Sequence, residues 1–271
     1  MKAHLRANLL LLGLTLAICA VAYPALLFGV GKVLFAESST GSLIVDAAGN
    51  TIGSRLIAQP FSDPRYIWPR PSAVSYNAAA TGGSNWGASN PALRKRVLKQ
   101  LGGLLKYRDG RPVGPDIAQW VREQVASNPQ LVATWQAESP ELVEAWAAAG
   151  TEEDGATLQA PFFELWWAAH PDADVEPVPA DLVMASGSGM DPDITVAAAR
   201  YQLDRVAAAW AKSLGAETAA VKRQIEQLID ARATAPLGGI AGEPLVNVLE
   251  LNLTIREALQ GDTSTTSESV R

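Results

Sequence analysis

The stretch LLLLGLTLAICAVAYPALLFGVG, residues 9–31, contains 23 residues and no charged side chain. An α-helix rises about 1.5 Å per residue, so a helix of this length crosses the roughly 30 Å hydrocarbon core of a bilayer. The chain after Glu37 has the mixed composition of a water-exposed domain. We therefore predict a single transmembrane anchor within residues 1–36, followed by a domain on one side of the membrane.

The charges that flank the apolar run predict its orientation. Lys2 and Arg6 precede the run, whereas Lys32 is the only charged residue between the run and Glu37. Because cytoplasmic flanks of membrane helices carry an excess of Lys and Arg, the N-terminus is expected in the cytoplasm. The bulk of the chain, residues 37–271, is then extracytoplasmic.

A cleaved secretory signal is the alternative interpretation of this N-terminus. The charged start, the apolar segment 9–18 and the small residues at 20–22 suit such a signal. The apolar character continues to Val30, however, which is beyond the ~7–15 residues of a signal core. A retained anchor is therefore favoured. Lipidation of Cys19 is disfavoured because the bulky Ile18 precedes it.

Composition excludes several classes of function. The chain has 22 basic and 28 acidic residues, and three of the basic residues lie in the anchor, so the outer domain is strongly acidic. An acidic domain repels phosphate backbones, and no nucleic-acid partner is expected. With one cysteine and two histidines, the chain is expected to hold no metal site and no disulfide framework. No nucleophile-elbow motif is present, and we assign no catalytic residue.

The outer domain is predicted to have an α+β fold. Residues 42–46 and 51–58 are short apolar and β-branched runs around a Gly-Asn turn, which predict a β-hairpin. Residues 59–91 are rich in proline and glycine, which indicates a loop-rich segment. Apolar spacing predicts helices over 91–105, 195–212 and 217–232, and the short, β-branched start of 246–253 favours a strand.

A tryptophan-bearing block at 103–177 interrupts this domain. Asn-Pro-Gln-Leu-Val at 128–132 and Ser-Pro-Glu-Leu-Val at 139–143 each lead to a tryptophan, which predicts two short capped helices. The block either packs its own tryptophans or presents them to a partner or the membrane interface. The predicted organisation is an anchor at 1–36, an α+β domain at 37–102 and 178–260, a helical insertion at 103–177 and a disordered tail at 261–271.

Two glycine-rich segments are candidate binding sites. Residues 81–91 precede a predicted helix, so backbone amides with Ser84 and Ser89 suit an anion at the helix N-terminus. The lysine and the spacing of a P-loop are missing, so a capped helix after a tight turn is the alternative. Residues 185–193 carry serines and aspartates but lack the EF-hand pattern of a calcium site, and a turn with a helix cap is favoured.

The order of several segments resembles the C subunits of Kdp potassium-transporting ATPases. The resemblance covers residues 9–101 and 178–259, and the block at 103–177 looks longer than the corresponding part of that family. The segments that carry the resemblance are YP at 23–24, GSLI at 41–44, GSRLIAQPF at 53–61, WPRPSA at 68–73, residues 82–91, DLVMASGSGMDP at 181–192, RVA at 205–207 and VNVLELNL at 246–253.

This resemblance implies a non-catalytic, single-span accessory subunit in a bacterial inner-membrane complex for potassium uptake. Its implied partners are the lipid bilayer, a channel-like potassium-binding subunit and a P-type ATPase subunit. The family is described as supporting assembly and as a catalytic chaperone that raises the ATP affinity of the ATPase subunit. No tightly bound cofactor is implied, and ATP is the one ligand that the resemblance suggests. The alternative function class is a membrane-tethered or secreted envelope hydrolase.

The resemblance also marks candidate site residues. A Gln-Ser-Gly-Gly-Ser stretch of the family reads Ala-Thr-Gly-Gly-Ser at 80–84 here, so its glutamine and first serine are absent. An extracytoplasmic site meets little ATP, which favours a partner over a nucleotide. Candidate nucleotide or partner contacts are Gly82, Gly83, Ser84, Asn85, Ser89 and Asn90. Candidate partner-facing residues are Arg70, Pro71, Ser72, Ser186, Ser188, Asp191, Asn247 and Asn252.

Overall fold

The computed structural model of the chain describes residues 2–46, 48–150, 155–240 and 242–261. Two compact units share these residues, one ending at Ile57 and the other beginning at Ala58. The tail at 262–271, for which disorder is predicted, lies outside the described residues.

The first unit begins with the apolar helix. It consists of α1 (Lys2–Leu16), a π-helical turn (Ala17–Ala22) and α2 (Tyr23–Leu34). Pro24 lies in the first turn of α2 and has no backbone N–H, so one helical hydrogen bond is missing there. The π-helical turn, which is wider than an α-helical turn, directly precedes this position. Within the described residues, His4–Leu34 is the one helix that is long and apolar enough to span a membrane. The predicted N-terminal apolar helix is confirmed, and its length and composition suffice to cross a membrane.

A short helix, α3 (Ala36–Ser39), and a β-hairpin complete the first unit. Strands β1 (Leu43–Val45) and β2 (Thr51–Ser54) pair antiparallel, as the sequence predicts. The Asp46 carboxylate accepts hydrogen bonds from the backbone N–H of Ala48 at 2.9 Å and of Asn50 at 2.8 Å. Together with a bond from the Asn50 side chain, these hydrogen bonds lower the pKa of Asp46. A carboxylate thus holds the turn of the hairpin closed.

The second unit is mainly helical and contains a second two-stranded sheet. Its strands pair antiparallel in a register that places Ile194 opposite Val246. With the hairpin of the first unit, this confirms an α+β fold. The helices are α4 (Pro91–Leu104), α5 (Gly114–Ser127), α6 (Leu131–Glu138), α7 (Pro140–Ala149), α8 (Ala156–Ala169), α9 (Val196–Tyr201), α10 (Leu203–Leu214), α11 (Thr218–Arg232) and α12 (Val248–Gln260), and the strands are β3 (Asp193–Thr195) and β4 (Leu245–Asn247).

The core of the second unit forms where β3 and β4 pack with α9–α12. Trp210 of α10 and Ile225 of α11 are fully buried there, together with Ile194 of β3. The single helix predicted over 195–212 is in fact two helices, which break at Gln202. The side-chain amide of Gln202 hydrogen-bonds with the backbone N–H and carbonyl of Trp68.

The predicted strand over 246–253 is wrong beyond Asn247. Only Leu245–Asn247 is extended, and α12 begins at Val248. The Asn247 side chain accepts a hydrogen bond from the backbone N–H of Glu250 at 3.2 Å, which caps the helix. Leu251 and Ile255, four residues apart, are both fully buried on one helical face. The β-branched start of the run therefore belongs to β4. The remaining apolar residues recur at the spacing of a helix and form the buried face of α12.

The tryptophan-bearing block packs with α4, which precedes it, and α4–α8 form a second core. The two short helices predicted from the repeated pattern are α6 and α7, but the predicted caps are wrong: α6 begins after Gln130, and neither Gln130 nor Ser139 makes a side-chain capping bond. Trp135 of α6 packs edge-on against Phe162 of α8 with ring centroids 5.0 Å apart. Trp135 and Trp166 are buried, whereas Trp167 is 36% exposed. This favours internal packing of most of the tryptophans. Gly102 permits the contact of α4 with α8, since a Cβ there would lie 2.8 Å from Ala160 Cα.

Candidate functional site

Three loops that are distant in sequence meet in the second unit. The backbone N–H of Gly82 donates to the carbonyl of Ser188 at 2.8 Å. The Ser72 hydroxyl donates to the carbonyl of Gly189 at 2.7 Å. The residues 68–76, 82–85 and 186–191 thus form one hydrogen-bonded arrangement, which we call the three-loop site.

Two glycines allow the loops to approach closely. Gly189 has a φ of +68°, and a Cβ there would lie 2.7 Å from Val74 Cγ2 and 2.9 Å from the carbonyl oxygen of Gly82. A Cβ on Gly83 would lie 2.8 Å from the carbonyl oxygen of Gly187. Real side chains do not reach such distances, so both positions need glycine for packing.

Ser72 and Tyr76 hold the first loop in a strained conformation. The Ser72 hydroxyl accepts hydrogen bonds from the backbone N–H of Val74 at 3.2 Å and of Tyr76 at 2.9 Å. Ser75 and Tyr76 have φ values of +54° and +56°, which non-glycine residues rarely adopt. The Tyr76 hydroxyl donates to the carbonyl of Arg70 at 2.9 Å, and burial raises the pKa of Tyr76 to about 12. Side-chain hydrogen bonds therefore stabilise a backbone that local propensity disfavours.

An ion pair joins the first and third loops. Arg70 Nη1 lies 3.0 Å from Asp191 Oδ2, and both side chains are about one-third exposed or less. The other Asp191 oxygen accepts a hydrogen bond from the backbone N–H of Asp193 at 3.1 Å. Burial and the nearby Asp191 charge raise the pKa of Asp193, against the hydrogen bond from Asn247. Both carboxylate oxygens of Asp191 therefore have partners within the protein, which agrees with the turn and helix cap favoured for residues 185–193.

Two buried amide side chains fix the backbone that leads into the first loop. Asn252 Oδ1 accepts from the backbone N–H of Ile67 at 2.8 Å, and Asn252 Nδ2 donates to the carbonyl of Ile67 at 2.9 Å. Gln202 does the same for Trp68, at 2.9 Å and 3.0 Å. Both amide side chains belong to residues that are only 2% exposed. We call Gln202 and Asn252 the amide clamp.

Arg205 extends the amide clamp. Its Nη1 donates to the carbonyls of Pro64 at 2.8 Å and of Tyr66 at 3.1 Å, and its Nη2 donates to Gln202 Oε1 at 2.7 Å. The guanidinium carbon lies 3.8 Å from the centre of the Trp68 ring. Burial lowers the pKa of Arg205 to about 10, so the side chain stays charged at neutral pH.

Two of the six candidate nucleotide or partner contacts, Gly82 and Asn90, are hydrogen-bonded within the fold. Asn90 Oδ1 accepts from the backbone N–H of Ala92 at 2.9 Å, and Pro91 occupies the first turn of α4. The predicted capped helix is confirmed. Ser84 is half-buried, while Ser89 and Asn85 are exposed, the latter with a φ of +51°. A direct nucleotide contact at these residues stays a prediction.

The partner-facing candidates divide into buried and accessible residues. Asn252 and Ser186 are buried, and Asn247 caps α12, so these three side chains act within the fold. Ser188 is exposed, and Arg70, Pro71 and Ser72 are partly exposed. Sequence reasoning missed Gln202 and did not assign Arg205 a role. The role of Gln202 could have been inferred from its position, because it is a polar residue next to the apolar stripe of the predicted helix 195–212.

A cavity of about 530 Å³ lies between the first loop and α4. Phe61, Trp68 and Tyr76 line it on the loop side, and Arg96 and Lys99 line it on the helix side. The cavity therefore combines an aromatic wall with a basic one.

His170 is the only histidine after the anchor and the natural candidate for a general base. Its ring stacks on Trp166 with centroids 4.8 Å apart, and its Nδ1 lies 2.9 Å from the carbonyl oxygen of Trp166. A hydrolase of the serine type instead needs its histidine to bond the nucleophile. The geometry at His170 is that of a packed aromatic residue and offers no support for the hydrolase alternative.

Residues 5–121 and 126–257 match the family described as "KdpC: K+-transporting ATPase, c chain". The match includes most of the tryptophan-bearing block, which lay outside the resemblance seen in the sequence. Three similar proteins, each named potassium-transporting ATPase KdpC subunit, come from Burkholderia vietnamiensis, Methylibium petroleiphilum and Geobacter sulfurreducens. They are 34%, 38% and 34% identical, over 96%, 94% and 93% of this chain and 99%, 97% and 96% of their own lengths. The chain therefore belongs to the KdpC family, the C chains of potassium-transporting ATPases.

Proposed function

We propose that this chain is the accessory subunit of an ATP-driven potassium uptake complex in a bacterial inner membrane. Its N-terminal helix anchors it, and its outer domain contacts a channel-like potassium-binding subunit and a P-type ATPase subunit. Membership of the KdpC family and a helix of membrane-spanning length support this proposal. The chain itself carries out no chemical step and acts by binding its partners.

The three-loop site is the observation that carries the binding role. Within it, the Gly82 N–H donates to the carbonyl of Ser188 and the Ser72 hydroxyl donates to the carbonyl of Gly189. The nearby Asn90 caps α4. A phosphate cradle needs backbone amides that point at the ligand, whereas the Gly82 amide is used to hold two of the loops together. A pre-formed surface binds a partner without an ordering cost. We infer that the chain raises the ATP affinity of the ATPase subunit through assembly, without contacting ATP at 82–85.

Removal of this chain is expected to impair the complex that it joins. We expect the remaining subunits to lose potassium-stimulated ATP hydrolysis, or to show a KM for ATP raised about tenfold, which corresponds to about 1.4 kcal/mol of coupling. Co-purification of tagged partner subunits and steady-state ATPase assays measure both effects. A Gly87→Ala chain is a matched control, because a Cβ at Gly87 meets no atom within 4 Å. Purification of the chain alone, with hydrolase activity on envelope glycans or peptides, would contradict the proposal.

An extracytoplasmic outer domain is expected to be labelled from outside the cell. Ser89 is exposed, so a Ser89→Cys variant in a Cys19→Ser background should react with a membrane-impermeant maleimide in intact spheroplasts. Ala219→Cys on the exposed face of α11 provides a second position, which guards against shielding by a partner. Labelling of both positions only after the membrane is broken would place the domain in the cytoplasm.

A further inference from the structure

Helix α4 has an unusual distribution of charge. It carries four basic residues, Arg94, Lys95, Arg96 and Lys99, and no acidic residue. Arg94 and Lys95 pair with glutamates of α8 and α7 at 2.5 Å and 2.8 Å. Among the described residues, Arg96 and Lys99 form no ion pair, and both line the 530 Å³ cavity. In the part of the chain that the structure describes, no acidic residue lines this cavity, although the net charge is −6.

Arg96 is held in place but is not satisfied. Its guanidinium carbon lies 4.8 Å from the centre of the Trp86 ring, so the side chain is stacked on the indole. Its Nε is buried and has no hydrogen-bond partner within the described part of the chain. Arg70 Nε and Trp210 Nε1 are also buried without a partner among the described residues, so the stacking on Trp86 and the missing ion pair, and not Nε, make Arg96 a candidate binding group.

The opposite wall of the cavity is aromatic and fixed. The amide clamp holds the Trp68 backbone, and the Tyr76 hydroxyl is bonded to the carbonyl of Arg70. Phe61 and three prolines extend this apolar wall. Trp, Tyr and Arg are the residues that most often dominate the binding energy of protein interfaces. The cavity therefore suits a group with one anionic and one apolar part.

The position of the cavity along α4 favours a carboxylate over a phosphate. Phosphate sites commonly use helix N-termini, where amides and the helix dipole favour negative charge. Lys99, Gln100 and Gly103, which line this cavity, belong to the C-terminal half of α4. The cationic groups that line the cavity, Arg96 and Lys99, are side chains and not helix N-terminal amides, and a guanidinium can bind a carboxylate through two N–H groups.

We propose that this pocket receives an aspartate or glutamate of a partner subunit, together with the apolar residue beside it. The proposal rests on the proposed function, since it names the chemistry by which the accessory subunit recognises its partner. Arg96 and Lys99 bind the carboxylate, and Phe61, Trp68 and Tyr76 contact the apolar neighbour.

Zero-length cross-linking of the assembled complex tests this pocket. A carbodiimide activates a carboxylate, which then forms an amide bond with an amine that is in contact with it. We expect mass spectrometry to identify a cross-link from Lys99 to a partner aspartate or glutamate. Lys99→Arg keeps the charge and should remove the cross-link without loss of assembly.

Charge reversal provides the second arm of the test. Arg96→Glu with Lys99→Glu is expected to reduce co-purification of the partner at least tenfold. Lys212→Glu with Arg223→Glu is the matched control, because both residues are exposed and the change in charge is the same. Tryptophan fluorescence of each variant confirms that the chain is folded.

Each outcome decides between the two proposals. If the wild-type complex assembles but Lys99 yields no cross-link to a partner carboxylate, the pocket assignment is overturned and the proposed function stands. The same holds if the double reversal loses bound phospholipid phosphorus but keeps its partner, which would identify a lipid headgroup. If the wild-type chain fails to co-purify with any transporter subunit, the proposed function and the pocket assignment both fail.

Discussion

Replacement of Asn252 by alanine is expected to destabilise the second unit by about 2–5 kcal/mol. The substitution removes both hydrogen bonds to Ile67, whose N–H and carbonyl are buried and find no water in exchange. Each buried polar group left without a partner costs roughly 1–3 kcal/mol. Denaturant unfolding of the full chain in detergent, followed by the fluorescence of its eight tryptophans, measures the change.

Two further substitutions separate hydrogen bonding from packing at this position. Asn252→Leu fills a similar volume but makes no hydrogen bond, and it should be as destabilising as Asn252→Ala. Gln224→Ala removes an exposed amide that donates to the carbonyl of Ala258 at 3.3 Å, and it should change stability by less than about 0.5 kcal/mol. Recovery of stability in Asn252→Leu would show that volume, and not the amide clamp, holds the first loop.

Gly189→Ala is expected to cost about 2–4 kcal/mol, from overpacking and from the left-handed backbone together. The new methyl group would overlap with Val74 and with the carbonyl oxygen of Gly82, and the φ of +68° disfavours any side chain. Because these contacts join the three loops, the variant should also lose most of its partner binding. Denaturant unfolding in detergent measures the first effect, and co-purification with the partner subunits measures the second.

Gly187→Ala is the matched control for this substitution. Gly187 lies two residues earlier in the same loop, a Cβ there meets no atom within 4 Å, and its φ is not in the left-handed region. Its stability and its partner binding should therefore stay close to those of the wild type. Equal losses of stability and partner binding in the two variants would show that both properties depend on the glycine content of the loop and not on its close packing.

Local sequence patterns predicted much of this fold. The N-terminal helix follows from an uninterrupted apolar run, and the hairpin follows from β-branched residues on either side of a Gly-Asn turn. The cap at Asn90 was also predictable, because Asn followed by Pro is a strong helix start. These features depend on residues that are close neighbours along the chain.

Other features were not accessible to pattern reasoning. The run after Asn247 has the length and composition of a strand, but its apolar residues bury a helical face against the core. The break at Gln202 depends on a backbone partner 134 residues away, at Trp68. Local propensity is a weak prior, and tertiary packing overrides it in both places.

By itself, the sequence determined the apolar N-terminal helix of membrane-spanning length, the acidic character of the chain after it and the family resemblance, because composition and residue order carry these properties directly. Only the tertiary structure decided the roles of the conspicuous motifs. It brought Gly82 and Gly83 against Ser188 and Gly187, buried Asn252 as a backbone partner, and placed Arg96 and Lys99 beside an aromatic wall with no acidic partner among the residues described. Hydrogen bonds and charge pairs depend on distances in space, and residues far apart in sequence acquire those distances only when the chain packs.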